Sequence, residues 1–304
     1  MKRFLVKTAL FLAIIFIADR CVGYMFPRIQ KNEEQKNDYA YMFDKCEADV
    51  LIFGSSRAYR HYNPRIIEDS LGLSCYNCGE SSMGFIHNYA ILQEMMSRYT
   101  PKVIIYDFNP YIDIIKNRTR DNHIFLKGLK PYHNRQGIEE VILCVDKNER
   151  YKMLSELYNH NQKFNLILNS YIQLVPQDSA NFYNGYVGTI KKFDPKKVKK
   201  GDRIPGYEID AQKMEYLLKF IDKGKGCRLF FCISPRWFGL GEFYVEKVRE
   251  ISLQYDVPFI DFSNNPKYVH HDELFFDGTH MNTKGADEFT RDLIKELKKC
   301  NILK

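Results

Sequence analysis

Val50-Leu51-Ile52-Phe53-Gly54-Ser55-Ser56-Arg57-Ala58 is the stretch that decides the fold. A short β-branched, aliphatic and aromatic run stops abruptly at Gly-Ser-Ser. That is the pattern of a buried strand whose carboxyl end delivers a serine into a turn. In open α/β sheets, ligands gather just outside the carboxyl ends of the strands. A hydroxyl placed there is accessible and lies near backbone N–H groups that stabilise an oxyanion. Gly-Ser-Ser is also ordinary turn chemistry, so the stretch calls for a partner elsewhere in the chain.

The partner stands near the other end, in Phe275-Phe276-Asp277-Gly278-Thr279-His280-Met281-Asn282-Thr283-Lys284-Gly285. An aspartate and a histidine three residues apart in a Gly-containing turn share one local loop. The carboxylate can hold the tautomer and orientation of the imidazole while the ring faces a third group.

A serine at the end of the first strand and an Asp-x-x-His before the last helix resemble the SGNH (GDSL-type) hydrolase family. The resemblance implies a flavodoxin-like fold and four sequence blocks. Gly54-Ser55-Ser56 stands where the family has Gly-Asp-Ser, which places Ser56 at the nucleophile and Ser55 at the usual aspartate. That replacement is also seen in the family's membrane-anchored, envelope-modifying branches. Tyr76-Asn77-Cys78-Gly79-Glu80-Ser81-Ser82 resembles the second block, with Ser82 where a glycine N–H normally serves the oxyanion hole. The third block keeps only its asparagine, Asn109, in Tyr106-Asp107-Phe108-Asn109-Pro110. The resemblance covers residues 48–110 and 226–299. It implies Ser56, His280 and Asp277 as a triad, with Ser56, Ser82 and Asn109 as oxyanion donors and no cofactor. An α/β-hydrolase elbow reads Gly-x-Ser-x-Gly in mid-chain, whereas here Ala58 holds the last place and the serine follows the first strand.

Further strands are expected over 74–79, Val103–Asp107, Arg228–Ser234 and Pro258–Phe262. Helices are expected over Gly84–Tyr99, Ala211–Lys223, Gly241–Tyr255 and Thr283–Lys299. Five strand patterns separated by helices predict a three-layer α/β/α fold around a parallel five-stranded sheet. An insertion of about residues 111–210 falls between strands three and four, with helical stretches at Gly137–Leu143 and Arg150–Ile172.

The N-terminus sets Lys2, Arg3 and Lys7 ahead of an apolar run from Thr8 to Ala18. Basic residues before an apolar run read as a signal peptide or anchor with the basic end in the cytoplasm. No small-x-small cleavage site follows, so residues 1–26 are expected to be an uncleaved anchor. Phe4 to Phe26 would span with Lys7 and Arg20 reaching the two interfaces. Residues 27–47 read as a polar spacer, and 48–304 as a domain outside the cytoplasm, periplasmic or extracellular.

With 304 residues, 45% hydrophobic and 14% aromatic, the chain can bury one full core plus an embellishment. A formal charge of +7 is far from the dense basic stripe of a nucleic-acid binder, and neither zinc spacing nor a Gly-rich phosphate loop occurs. Eight cysteines include Cys75-x-x-Cys78, but that pair lies in a strand pattern rather than opening a helix. They read as small core residues. Arg57 and Arg60, beside the serine, read either as makers of surface or interdomain salt bridges or as binders of an anionic substrate group. The charge run Lys191–Arg203 reads as a solvated loop or as a surface for anionic lipid headgroups. Tyr171, Phe182, Tyr183 and Tyr186 suit either a glycan cleft or core packing.

These readings converge on a serine-dependent acyl ester hydrolase or O-acyltransferase acting on cell-surface polysaccharide. The partners expected are an acylated glycan or acyl donor, the membrane, and a multispanning acyl-exporting protein. The alternative is a catalytically inert glycan-binding or scaffold protein with the same fold.

Overall fold

A computed structural model of the chain describes residues 1–30, 39–116, 122–160, 182–197 and 207–300. Two compact units emerge: residues 1–35 with 126–177, and residues 36–125 with 178–304.

The larger unit is built on a sheet of β1 (Val50–Gly54), β2 (Cys75–Asn77), β3 (Val103–Asp107), β6 (Arg228–Ile233) and β7 (Phe259–Asp261). Its order is β2-β1-β3-β6-β7 and every pairing is parallel. This is the expected three-layer α/β/α architecture. Sequence alternation explains why both faces are covered. Val50, Ile52, Val103, Ile105, Phe230 and Cys232 join one core with Tyr62, Phe289 and Leu293. Their neighbours Phe53, Tyr106 and Phe231 meet Phe85 and Phe220 on the opposite face. There Phe85 stacks on Tyr106 with ring centroids 4.0 Å apart, and Phe53 meets Phe220 at 5.4 Å. A parallel sheet buried on both faces reads as a near-continuous apolar run, and β1 and β3 are buried at every residue.

The helices fall close to expectation: Phe85–Met95, Ala211–Lys223, Glu242–Gln254 and Thr283–Lys299. Asp210 and Asn282 cap the second and the fourth through their side chains. Among the helices not expected, two matter for the fold. Ser56–His61 begins immediately after β1, so the serine opens a helix rather than a loop. Tyr39–Asp44 lies inside the expected spacer, yet Tyr39, Met42 and Phe43 are buried and Arg98 donates to the carbonyls of Phe43 and Cys46. The spacer reading of 27–47 is corrected there: three apolar residues on a six-residue stretch suffice to dock it. Residues 31–38 lie outside the described residues.

The insertion leaves the sheet unit through a pinned base. Lys116 N donates to Glu208 O, Asp210 N donates to Ile114 O, and Ile115 bridges Ile209. A hairpin of β4 (Phe182–Tyr183) and β5 (Tyr186–Val187) turns at Asn184-Gly185, both with positive φ, the type I′ signature. Asn184 O accepts from Asn77 N at 2.8 Å. Tyr186 enters the core, whereas Phe182 stays exposed. Tyr171 and residues 198–203 of the charge run lie outside the described residues.

The smaller unit contains helices Lys2–Gln30, Gln136–Val145 and Glu149–Lys152. The single helix expected over Arg150–Ile172 is interrupted at 153–155 and resumes at 156, and 161–172 lie outside the described residues. Asp19 accepts from Ser155 Oγ at 2.6 Å and from Leu157 N at 2.9 Å, and Arg20 pairs with Asp19 and Glu156. Arg20 is therefore engaged by protein groups. Among the described residues no helix is long and apolar enough to cross a membrane.

Gly54 closes β1 with φ 138°, and a Cβ there would stand 2.7 Å from Asp107 O. Only glycine allows the chain to turn into the serine helix this close to β3. Gly54→Ala should destabilise the protein by at least about 2 kcal/mol in urea unfolding, from backbone strain plus the clash.

Candidate active site

The carboxyl ends of β1, β3 and β6 converge beneath Ser56. Ser56 is the first residue of its helix and is half-buried, while Ser55 is 1% exposed and its hydroxyl has no hydrogen-bond partner among the described residues. Across from it, residues 275–281 form a tight loop closed by Phe276 N donating to His280 O and by a bridge between Phe275 and Met281. Inside the loop, Asp277 Oδ1 accepts from Thr279 N at 2.7 Å and His280 N at 2.8 Å. The Asp-x-x-His spacing thus folds the carboxylate back onto its own turn.

His280 Nδ1 lies 2.8 Å from Asp277 Oδ2, and Nε2 lies 2.7 Å from Ser56 Oγ. With Nδ1–H donating to the carboxylate, Nε2 is free to accept from the serine hydroxyl. Residues 56, 277 and 280 therefore meet as a Ser-His-Asp constellation, within the reach a general base requires. Burial opposes ionisation of Asp277, but the hydrogen bond and charge of His280 with the two loop N–H groups hold its carboxyl below the usual range. Phe276 stacks on His280 at 5.5 Å and 13°, and the Arg60 guanidinium sits 4.9 Å over Phe276.

Arg57 is corrected. It is 1% exposed, donates to Phe108 O at 2.7 Å and Ser234 O at 3.1 Å, and lies 3.4 Å from Asp107 Oδ2. It points into the protein beneath the serine, because the helical turn that exposes residue 56 turns residue 57 inwards. Arg60 stays half-exposed beside the site.

The expected oxyanion donors are unspent. Among the described residues, the Ser56 and Ser82 N–H groups and the Asn109 side-chain amide make no hydrogen bond. Ser82 adopts φ 61°, the conformation that favours the glycine found there in the resembled family. Asn109 N donates to Asp113 Oδ2 at 2.6 Å, and Tyr106 OH donates to Asp113 Oδ1 at 2.7 Å. Full burial pushes the Asp113 carboxyl up to about 7, against the pull of the Asn109 N–H and Tyr106 hydroxyl.

Sequence reasoning missed several supporting residues. Asn77 donates to the carbonyls of Ala58 and Tyr62 and accepts from Gly79 N, tying β2 to the serine helix. Asp107 accepts from Tyr62 OH at 2.8 Å and Ser234 N at 2.9 Å. A polar residue ending an apolar strand was the available signal for both. All eight cysteines are free. Burial pushes the thiols of Cys75, Cys78 and Cys232 well up, as fits core residues, whereas Cys21, Cys144 and Cys300 are exposed.

No protein-family model matches the chain, and no curated protein matches it. Among solved structures, it is similar to a "putative acylhydrolase" from Bacteroides fragilis NCTC 9343, at 8% identity and TM-score 0.44, over 89% of this chain and 100% of the other. It is also similar to the acetyl xylan esterase AlAXEase, at 11% identity and TM-score 0.36, over 82% and 99%. Likenesses this distant carry no argument about activity, which rests on the site's own geometry.

The raised Asp113 carboxyl sets a pH dependence. A buried acid whose folded pKa exceeds its unfolded value contributes stability that is full below the unfolded value and is lost as pH rises from about 4 to the folded value of about 7. Asp113→Asn should therefore gain on wild type between about pH 4 and 7, by about 1.4 kcal/mol per pH unit, and the difference should level off above 7. Chemical denaturation at a series of pH values from about 4.5 to 8.5 measures the divergence and its plateau.

Proposed function

We propose that this protein is a serine-dependent acyl ester hydrolase or O-acyltransferase, and that its substrate is an acylated cell-surface polysaccharide. The observation that carries the reading is the chain of contacts Ser56 Oγ–His280 Nε2 and His280 Nδ1–Asp277. Residues 224 positions apart are brought within hydrogen-bond distance in an order that does chemical work.

Neutral serine is a poor nucleophile. As Ser56 Oγ attacks the acyl carbonyl, its proton passes to His280 Nε2, and Asp277 stabilises the imidazolium formed. The negative charge on the carbonyl oxygen is met by the Ser56 and Ser82 N–H groups and the Asn109 amide. Loss of one such donor costs about 3 kcal/mol of transition-state stabilisation. Collapse of the tetrahedral intermediate breaks the bond to the leaving alcohol, which takes the proton from His280 and leaves an acyl-Ser56 ester. A water or a sugar hydroxyl then attacks, with His280 accepting its proton, and Ser56 is regenerated. Hydrolysis and transfer differ only in that acceptor.

A glycan substrate is supported by an open groove of about 560 Å³ lined by Thr189, Lys192, Phe193, Asp272, Asn282 and Lys284. Its lining includes Asn282, two residues after His280 in sequence, and none of Ser56, Asp277 and His280. Phe193 lies 5.1 Å from Trp237, which lies 4.7 Å from Phe238, and Phe238 packs over Gly278 of the catalytic loop. Aromatic faces flanked by carboxylates, amides and ammonium groups suit the apolar and hydroxyl surfaces of a sugar chain. The apolar N-terminal helix, with Phe4, Leu10, Phe11, Ile14, Phe16 and Ile17 exposed, supports attachment to a membrane with the sheet unit outside the cytoplasm. An acyl-exporting membrane protein is the proposed source of acyl groups for transfer.

Ser56→Ala should abolish labelling by a fluorophosphonate probe and lower p-nitrophenyl acetate turnover by at least about a thousandfold, while Ser55→Ala still labels. An unlabelled wild type would favour the inert scaffold. For placement, a C-terminal alkaline phosphatase fusion should be active, and an active cytoplasmic reporter in its stead would reverse the topology.

A further inference from the structure

His61 is the last residue of the six-residue helix that Ser56 begins, and it is wholly buried. Its Nε2 lies 3.0 Å from the backbone N of Met281, the residue after the base, and its Nδ1 lies 3.0 Å from Ser234 Oγ. The Met281 amide can only donate, so Nε2 must be an unprotonated acceptor and Nδ1 carries the proton given to Ser234. Ser234 is itself fixed, its N–H on Asp107 Oδ1 and its carbonyl on Arg57. The backbone carbonyl of His61 accepts from Thr290 Oγ1 of the last helix at 3.0 Å.

We propose that His61 is a positioning residue, a neutral strut that holds the His280 loop at a fixed distance from the helix carrying Ser56. The inference rests on Ser56 and His280 being nucleophile and base. One rigid ring joins three parts of the site: the far end of the nucleophile helix, the loop of the base, and the end of β6. A neutral imidazole presents an acceptor and a donor on opposite edges at a fixed angle, which few other side chains do. Protonation would set an N–H against the Met281 N–H and break the strut. The surroundings oppose that proton. Burial comes first, followed by the cationic Arg57 and Arg60 of the same helix and the ring of His280, 6.4 Å away from the loop side. Asp107 of β3 is already engaged by Tyr62, Ser234 and Arg57, and Thr290 and Phe289 of the last helix bring no charge.

The strut matters because the Ser56–His280 contact is made between a helix and a loop with no covalent neighbour in common. A misplacement on the order of 1 Å at the reacting atoms costs about a hundredfold in rate. It should act on kcat and leave KM alone, because His61 is buried away from substrate.

Three variants separate positioning from mere packing. In His61→Gln the side-chain carbonyl reaches the place of Nε2 and can still accept from Met281 N. In His61→Asn the shorter side chain keeps only the Ser234 side, and His61→Phe keeps neither. With p-nitrophenyl acetate well below each variant's melting midpoint, Asn and Phe should lower kcat by about ten- to a hundredfold, with KM within about twofold. Gln should recover most of the loss. If all three lower the melting midpoint while kcat stays at the wild-type value, or if Gln is as impaired as Phe, the proposal is overturned. Should the His61 variants not fold, Ser234→Ala removes the Nδ1 partner alone. A fall in kcat of about three- to tenfold supports the strut, and an unchanged kcat overturns it. A wild type that neither turns over the ester nor takes the fluorophosphonate probe defeats the serine reading itself, a result distinct from active wild type with unaffected variants.

Discussion

Beneath the serine, a buried ion pair joins the serine helix to the third strand. Arg57 Nε and Asp107 Oδ2 are 3.4 Å apart with both side chains sealed from solvent. Among the described residues neither of those two atoms makes a well-formed hydrogen bond, so the pair is held by charge and by the bonds of its other atoms. Arg57 spends its terminal nitrogens on Phe108 O and Ser234 O, and Asp107 Oδ1 takes Tyr62 OH and Ser234 N. Removing one member would leave the other charged and buried, at a cost of about 3–5 kcal/mol. Because these groups sit at the ends of β1, β3 and β6, they lock three strand ends and the start of the serine helix into one arrangement. The position of Ser56 depends on that lock.

The loop that brings His280 depends on local chemistry instead. Asp277 accepts two N–H groups of its own turn before it meets the imidazole, so carboxylate and ring are organised together. Asn282 then donates to Glu273 O and Phe275 O and caps the last helix at Gly285 N. Gly285 has to be glycine, because a Cβ there would lie 2.1 Å from Leu274 O. The loop is therefore anchored at its carboxyl end to a seventeen-residue helix packed on the core. His61 supplies the remaining tie, from the loop across to the serine helix.

The electrostatics divide the titratable groups by task. Asp277 is held towards its charged form and His61 towards its neutral form, each by its own surroundings. Asp113 is different. It holds the Asn109 turn and the Tyr106 hydroxyl from a fully buried position, and burial raises its carboxyl to about 7.

From the sequence alone came the five strands, the parallel sheet, four main helices and the insertion between strands three and four. Apolar alternation and Gly, Pro and Asn punctuation are properties of adjacent residues, so they survive without knowledge of the fold. Ser56, Asp277 and His280 were readable for the same reason: each lies in a short block at the end of a strong element. What adjacency cannot carry is the direction of a side chain where an element begins. Arg57 was expected at the surface and lies in the core, because a helix starting at Ser56 turns successive residues about a hundred degrees apart. The docking of Tyr39–Asp44 was hidden by the polar residues around it, and the return of the 182–187 hairpin to Asn77 spans too much chain for any local signal. The part of His61 was equally invisible, since its two partners stand 173 and 220 positions away. Only tertiary structure decided those pairings, because a buried hydrogen bond is specified by which distant groups the packed core leaves facing one another.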